Sequence, residues 1–194
     1  GGPGALGGVA GDGRIPYRPD ALRIKQENAE NWIDRDPELK CYLPGIPRAM
    51  YMPYPFQIVQ GTDKIQMTFG FSNAARVIHL NDVTGPPDYT YMGHSVGRWD
   101  GDTLVIDTQN FSEKSAPGLN TDAKILQERI TRISDTELQY DLIAHDPGTY
   151  SADYTRRIIF EYSEDKIYEY ACHEGNYGML NILRGERMKE RRGE

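Results

Sequence analysis

The sequence predicts a mainly β protein, an antiparallel up-and-down, lipocalin-like β-barrel or strongly curved sheet with an N-terminal and a C-terminal helix. Three observations carry this reading. Short stretches of strand character follow one another, the clearest over 64–71, where Ile65, Met67, Phe69 and Phe71 alternate with Lys64, Gln66 and Thr68. Turn sequences separate most of them, among them Gly61-Thr62-Asp63, Asp100-Gly101-Asp102, Ser134-Asp135-Thr136 and Ser163-Glu164-Asp165. No helical pattern interrupts the series, so a meander is the economical topology, and curling it shields the exposed edges.

Taken in order, residues 1–13 are Gly-rich with almost nothing to bury and read as a flexible tether to a single domain over 14–194. Pro19-Asp20 opens a helix over 20–34, with Leu22, Ile24, Ala29, Trp32 and Ile33 loosely on one side, and Asp36-Pro37 closes it. The prolines and glycine of 41–48 predict irregular, extended chain. Strands are expected over 56–60, 64–71, 76–80, 94–99, 103–108, 125–133, 137–145, 156–162 and 166–173. An amphipathic helix over 178–192, with Met179, Leu180, Ile182 and Leu183 apolar, ends the chain.

Composition bounds the function. With 194 residues, 38% hydrophobic and 26% charged, the chain suits one globular domain, and no apolar run approaches the roughly 20 residues that span a bilayer. A formal net charge of -7 repels polyanions, and acids interrupt the one basic cluster, over 184–192, so nucleic acid is excluded as a partner. The 13 tyrosines suit strands, and they also suit a pocket that needs an apolar wall carrying hydroxyls.

Cys41 and Cys172, the only two cysteines, bracket the strand series. They read as a disulfide fastening the two ends of the domain, with buried thiols or one reactive thiol as alternatives. Such a bond implies an oxidising compartment, periplasmic or secreted. The Gly-rich start lacks the features of a signal peptide, as expected if a leader has been removed.

Candidate chemistry concentrates in Cys172-His173-Glu174-Gly175-Asn176-Tyr177, expected at the rim where the last strand ends. A histidine beside a carboxylate moves protons near neutral pH, so His173 is the candidate acid or base and Glu174 or Glu128 its partner, with Asn176 and Tyr177 as ligand contacts. The alternative is that His173 and Glu174 cap the strand end and the next helix. Glu128 and Arg129 each sit on an apolar strand face, so one of them should enter a hydrated cavity or an ion pair, with Arg76, Arg98 or Arg157 as the partner. Arg76 or Arg129 would hold an anionic group. His79 and His94 are candidates for inward ligand-binding positions, and with His173 and a carboxylate they would suffice for a metal, though their spacing is nondiagnostic. No metal and no cofactor is assigned. His145 and the segment Trp99–Thr103 read as turns, Ser95 and Ser112 lack a nucleophile elbow, and a free Cys172 beside His173 would be the thiol alternative.

Four blocks, Cys41-Tyr-Leu-Pro-Gly-Ile-Pro-Arg48, Tyr51-Met-Pro-Tyr-Pro-Phe-Gln57, Gly97-Arg-Trp-Asp-Gly-Asp-Thr-Leu-Val105 and Cys172-His-Glu-Gly-Asn-Tyr177, resemble a widespread, uncharacterised family of exported bacterial proteins. The resemblance spans nearly the whole chain from Ile15 and implies export and one β-rich domain. It carries over no catalytic residue. The reading is therefore an exported barrel that binds a small, partly apolar molecule and acts on it by acid and base catalysis as an isomerase, lyase or hydrolase. Alternatives are a structural or assembly module, self-associating as a homo-oligomer, and a metal-dependent enzyme built on histidine and carboxylate.

Overall fold

Nine strands join in one sheet in a computed structural model that describes residues 8–9, 13–81 and 88–193, the side chains of 8–9 and 173–180 excepted. They are β1 (Gly8–Val9), β2 (Phe56–Gln60), β3 (Lys64–Phe69), β4 (Ala75–His79), β5 (His94–Asp100), β6 (Thr103–Gln109), β7 (Ile125–Arg132), β8 (Glu137–His145) and β9 (Tyr154–Glu161). The spatial order β1-β9-β8-β7-β6-β5-β4-β3-β2 is a meander curled into an open half-barrel. Of the two forms the sequence predicts, the strongly curved sheet is the one observed, and helices flank it at both ends of the chain.

Two expectations need correction. The sheet is not wholly antiparallel: β4 and β5 run parallel, with Ile78 opposite Ser95 and His79 opposite Val96. A parallel neighbour requires the chain to return to its starting end, and the long excursion from 80 to 93 does this. Gly93 completes the return with φ +72, where a Cβ would fall 2.8 Å from the Phe111 and Thr108 side chains, so glycine alone fits. The stretch 166–173 is not a strand either. Residues 162–171 carry no regular structure, and helix α4 begins at Cys172 and runs to Arg192, six residues before the expected start at 178. Tyr168 in this stretch is 76% exposed. The ninth strand is instead Gly8–Val9, within the stretch read as a tether, which pairs with Arg157 and Arg156 of β9. Residues 1–7 and 10–12 lie outside the described residues.

Helix α1 (Pro19–Glu30) starts on a proline, whose fixed φ suits the first helical position, and breaks at Asn31 before the short α2 (Trp32–Arg35). Of α1 only Ala21 is buried, while Trp32 and Ile33 of α2 stay exposed, so this pair rides on the surface. Asn28 Nδ2 ties it down by donating to the Pro117 carbonyl at 2.8 Å. The short α3 (Arg48–Tyr51) sends Ala49 and Met50 into the core.

The concave face of the sheet is that core. Alternation in β3 places Ile65, Met67 and Phe69 inside at 1% exposure or less and Lys64 and Gln66 outside. Ile78, Ile106, Leu126 and Leu142 continue the same face across β4, β6, β7 and β8. The curl is tight enough that Phe56 of β2 and Phe160 of β9 meet edge to face, their ring centroids 4.9 Å apart. These strands lie far apart in the ladder and are not hydrogen-bonded neighbours, so a seam separates them.

Candidate binding cleft

At that seam opens a cleft of about 1520 Å³. Phe56 and Ile58 of β2 face Ile158 and Phe160 of β9 across it, with Met50 and Tyr51 of α3 entering from below. On one side of the gap β2 is the last strand of the sheet, on the other β9 carries the short β1 beside Arg156 and Arg157, and Met50 and Tyr51 of α3 lie between the two walls. The rim is charged, with Arg132, Asp135, Glu137, Glu161 and Lys166 around the mouth.

A strap runs along the cleft. After β9, Tyr162, Ser163, Asp165, Lys166 and Ile167 contribute to the lining before the chain reaches α4. The Tyr162 amide donates to the Thr136 carbonyl at one end, 2.7 Å. At the other end the Tyr170 amide donates to Asn73 Oδ1 at 2.9 Å, the Tyr170 hydroxyl donates to Glu38 Oε1 at 3.0 Å, and Cys172 is disulfide-bonded to Cys41, with Cα atoms 5.7 Å apart. Arg48 organises this anchor by donating to both Asp36 oxygens, 2.7 and 3.2 Å, and to Glu38 at 2.8 Å. Burial alone would raise the Asp36 carboxyl, yet the hydrogen bonds from Arg48 and from the Glu38 amide hold it below its ordinary value. The sequence blocks around Cys41 and Cys172 thus meet as one fastening, and the expected disulfide is present.

Behind the cleft lies a group of tyrosines. Tyr17 packs on Tyr150 at 5.3 Å between centroids and Tyr150 on Tyr154 at 4.9 Å. Burial pushes the Tyr17 phenol up to about 12, with smaller contributions from Tyr154 and Tyr51, and burial likewise raises Tyr51, Tyr150 and Tyr154. All four therefore carry their protons at neutral pH. Arg156 of β9 stands among them, its guanidinium 4.9 Å from the centre of the Tyr51 ring.

The structure brings together only some of the residues that the sequence singles out. Arg76 and Glu128 form a buried ion pair, side chains 1% and 0% exposed, in the middle of the concave face. Arg76 donates to Glu128 Oε1 at 3.0 Å, to Thr108 at 2.7 Å and through Nε to Ser95 at 2.9 Å, and it also contacts Glu128 Oε2. Tyr140 donates to Glu128 Oε1 at 2.8 Å. Arg129, on the opposite face, donates to Asp100 at 2.9 Å and stays partly exposed. His79 and His94 stack, centroids 5.2 Å apart, on the parallel pair β4 and β5. None of Arg76, His79, His94, Glu128 and Arg129 lines the cleft. His145, read from the sequence as a turn residue, is the last residue of β8, opposite Ile125, and its exposed side chain pairs with Asp153 at 2.7 Å. His173, Glu174, Asn176 and Tyr177 are placed by their backbone in the first turns of α4, which corrects the expected strand rim; their side chains lie outside the described residues. Among the described residues no cluster of three or more His, Cys, Asp or Glu is arranged to hold a metal ion.

Arg156 and Lys124 escape a reading by motif. The signal for Arg156 was in the alternation over 154–160, which sets it in a row with Tyr154, Ile158 and Phe160, whereas Arg157, the arginine the sequence reading selects, points outward to Asp141 at 2.6 Å. Lys124 is 7% exposed, donates to Asn120 Oδ1 at 2.6 Å and lies 4.6 Å from the Phe111 ring centre. Burial lowers its ammonium to about 8, a loss only partly offset by Asp146. Between about pH 8 and the unfolded value near 10.5 the unfolded chain binds the extra proton, so stability rises with pH across that window, by about 3 kcal/mol in all. Lys124→Met is expected to abolish that rise in urea titrations at pH 7.5, 8.5 and 9.5; a rise that persists would place its origin elsewhere.

No family model, curated protein or solved structure matches the chain, so the geometry of the cleft has to carry the functional argument alone.

Proposed function

We propose that this protein binds a small, partly apolar molecule in the seam between β2 and β9. The observation that carries the reading is the unclosed seam itself, a cleft of about 1520 Å³ with an aromatic and aliphatic floor and a polar rim. Ligand sites are concave, mostly apolar and furnished with a few polar groups. A sheet curled only to complete its own core would gain by closing the seam. The reading differs from the sequence expectation in place, because the middle of the concave face is occupied by core side chains and the Arg76–Glu128 pair, while the opening lies at the edge. It is a reading of binding. Both Glu128 oxygens are engaged by Arg76, Thr108 and Tyr140, away from the cleft, which favours a scaffold role over proton transfer. The Cys41–Cys172 bond supports work in an oxidising compartment, periplasmic or exterior.

Nile red, a neutral apolar dye, tests the proposal. Saturable one-to-one binding with blue-shifted emission is expected, and Ile58→Trp, which adds bulk from the β2 wall, is expected to weaken it at least about tenfold, or about 1.4 kcal/mol. A thermal melt checks that the overpacked variant still folds. Dye emission that never saturates, or equal affinity in Ile58→Trp, would overturn the reading.

A further inference from the structure

The inner face of β9 changes character along its length. Alternation places Tyr154, Arg156, Ile158 and Phe160 in one row, confirmed by their pairing with Ala144, Leu142, Tyr140 and Leu138 of β8. Neighbours in such a row are about 7 Å apart. Phe160 and Ile158 line the cleft, and Arg156, next in the row and just outside the lining, sits over the ring of Tyr51, which is itself a lining residue.

Arg156 is unusual among the inward-turned arginines. Its Nε is enclosed and has no hydrogen-bond partner among the described residues. No carboxylate of the described residues pairs with it, whereas the enclosed Arg48 and Arg76 each face one. Its surroundings are protonated tyrosine hydroxyls, which offer further donors, and Lys25 adds a second positive charge 4.6 Å above the Tyr17 ring. A guanidinium left without an acid, next in its row to the Ile158 wall of an apolar cleft, over the Tyr51 ring and amid neutral donors, is the composition that recognises an anion.

The geometry points to an anion subsite in which Arg156, with Tyr51 and Tyr154, takes the carboxylate of an amphipathic ligand whose apolar body lies on Ile158, Phe160 and Phe56. The inference rests on the cleft-binding reading. A carboxylate fits better than a phosphate dianion because a single guanidinium fork matches one two-oxygen monoanion.

The test compares decanoate with decan-1-ol, equal in chain length and differing in head group, as competitors of Nile red on the full chain at a pH above the carboxyl pKa. Decanoate is expected to half-displace the dye at a concentration about tenfold below that of the alcohol, and Arg156→Met to remove the preference while leaving the alcohol unchanged. Equal displacement by acid and alcohol in the wild-type protein overturns the subsite and leaves the cleft reading standing. A preference that survives in folded Arg156→Met assigns the anion to another residue and equally overturns it. If dye, acid and alcohol all fail to bind, the cleft reading falls first and the subsite with it. Should Arg156→Met not fold, Arg156→Lys, which keeps the charge and loses the fork, is expected to cut the preference severalfold; an undiminished preference there counts against the proposal.

Discussion

Glu128→Leu is expected to lower the free energy of unfolding by about 3–5 kcal/mol, the cost of leaving an arginine buried without its counter-charge. Arg76 is fully enclosed, and after the substitution only Ser95 and Thr108 would still accept from it. Arg76→Met strands Glu128 in the same manner but with a different pH dependence. A lone buried carboxylate has its native pKa raised, so the folded state binds the extra proton and part of the lost stability returns as pH falls toward the native value. Glu128→Leu has no such rescue, because a guanidinium cannot give up its proton at any ordinary pH. The double variant Arg76→Met with Glu128→Leu is expected to be more stable than either single one, since no charge is left buried alone and Ser95 and Thr108 keep their mutual 3.1 Å hydrogen bond, although the Thr108 and Tyr140 hydroxyls both lose Glu128 as an acceptor. Urea denaturation of the four proteins forms a double-mutant cycle. A coupling below about 1 kcal/mol would show that water enters the concave face and screens the pair. Folded single variants should still bind Nile red, because neither residue lines the cleft.

The fold was more legible than the site, and the reason is visible in particular residues. Strand periodicity is a local signal, and in β3 the alternation of Ile65, Met67 and Phe69 with polar neighbours corresponds directly to buried and exposed faces. The Arg76–Glu128 pair was half legible: a carboxylate on the face of Leu126 and Ile130 demands a cation, and Arg76, on a nearby strand with the right parity, was among the three candidates. The parallel pairing of β4 and β5 was not legible, because it depends on where the excursion from 80 to 93 returns the chain, and no local pattern encodes that. Residues 166–173 show the opposite failure. Tyr168, Tyr170 and Cys172 share one strand parity and suit a strand by composition, yet no strand forms there, and the disulfide commits Cys172 to a different place. The cleft escaped notice because it is a property of closure. It arises from what β2 and β9 fail to do, and its lining comes from segments more than 70 residues apart in sequence.

Removing the disulfide, in Cys41→Ala with Cys172→Ala, is expected to cost about 4–5 kcal/mol of stability in the chain-entropy account, since the bond closes a loop with a sequence separation of 131. The effect falls mainly on the unfolded chain. It should therefore appear as a lower urea midpoint together with a steeper denaturant slope, because the uncrosslinked chain expands further on unfolding. The folded state has its own consequence at the strap. Without the bond, 162–171 and α4 stay attached through the Tyr162 amide to Thr136, the Tyr170 backbone to Asn73 and the Tyr170 hydroxyl to Glu38. Those hydrogen bonds are individually worth about 1 kcal/mol, too little to order a long strap against its conformational entropy. Hydrogen exchange at residues 163–170 is accordingly expected to rise in the variant while β3–β8 remain protected under native conditions, and Nile red affinity to fall as Tyr162 and Ile167 leave the cleft wall. Tyr170→Phe with the disulfide intact separates the two effects, because it removes the Glu38 contact and leaves the loop closed. A variant lacking both cysteines that keeps wild-type exchange along the strap would show that the anchor around Arg48, Asp36 and Glu38 holds the strap unaided, leaving the covalent link to act through the unfolded chain alone.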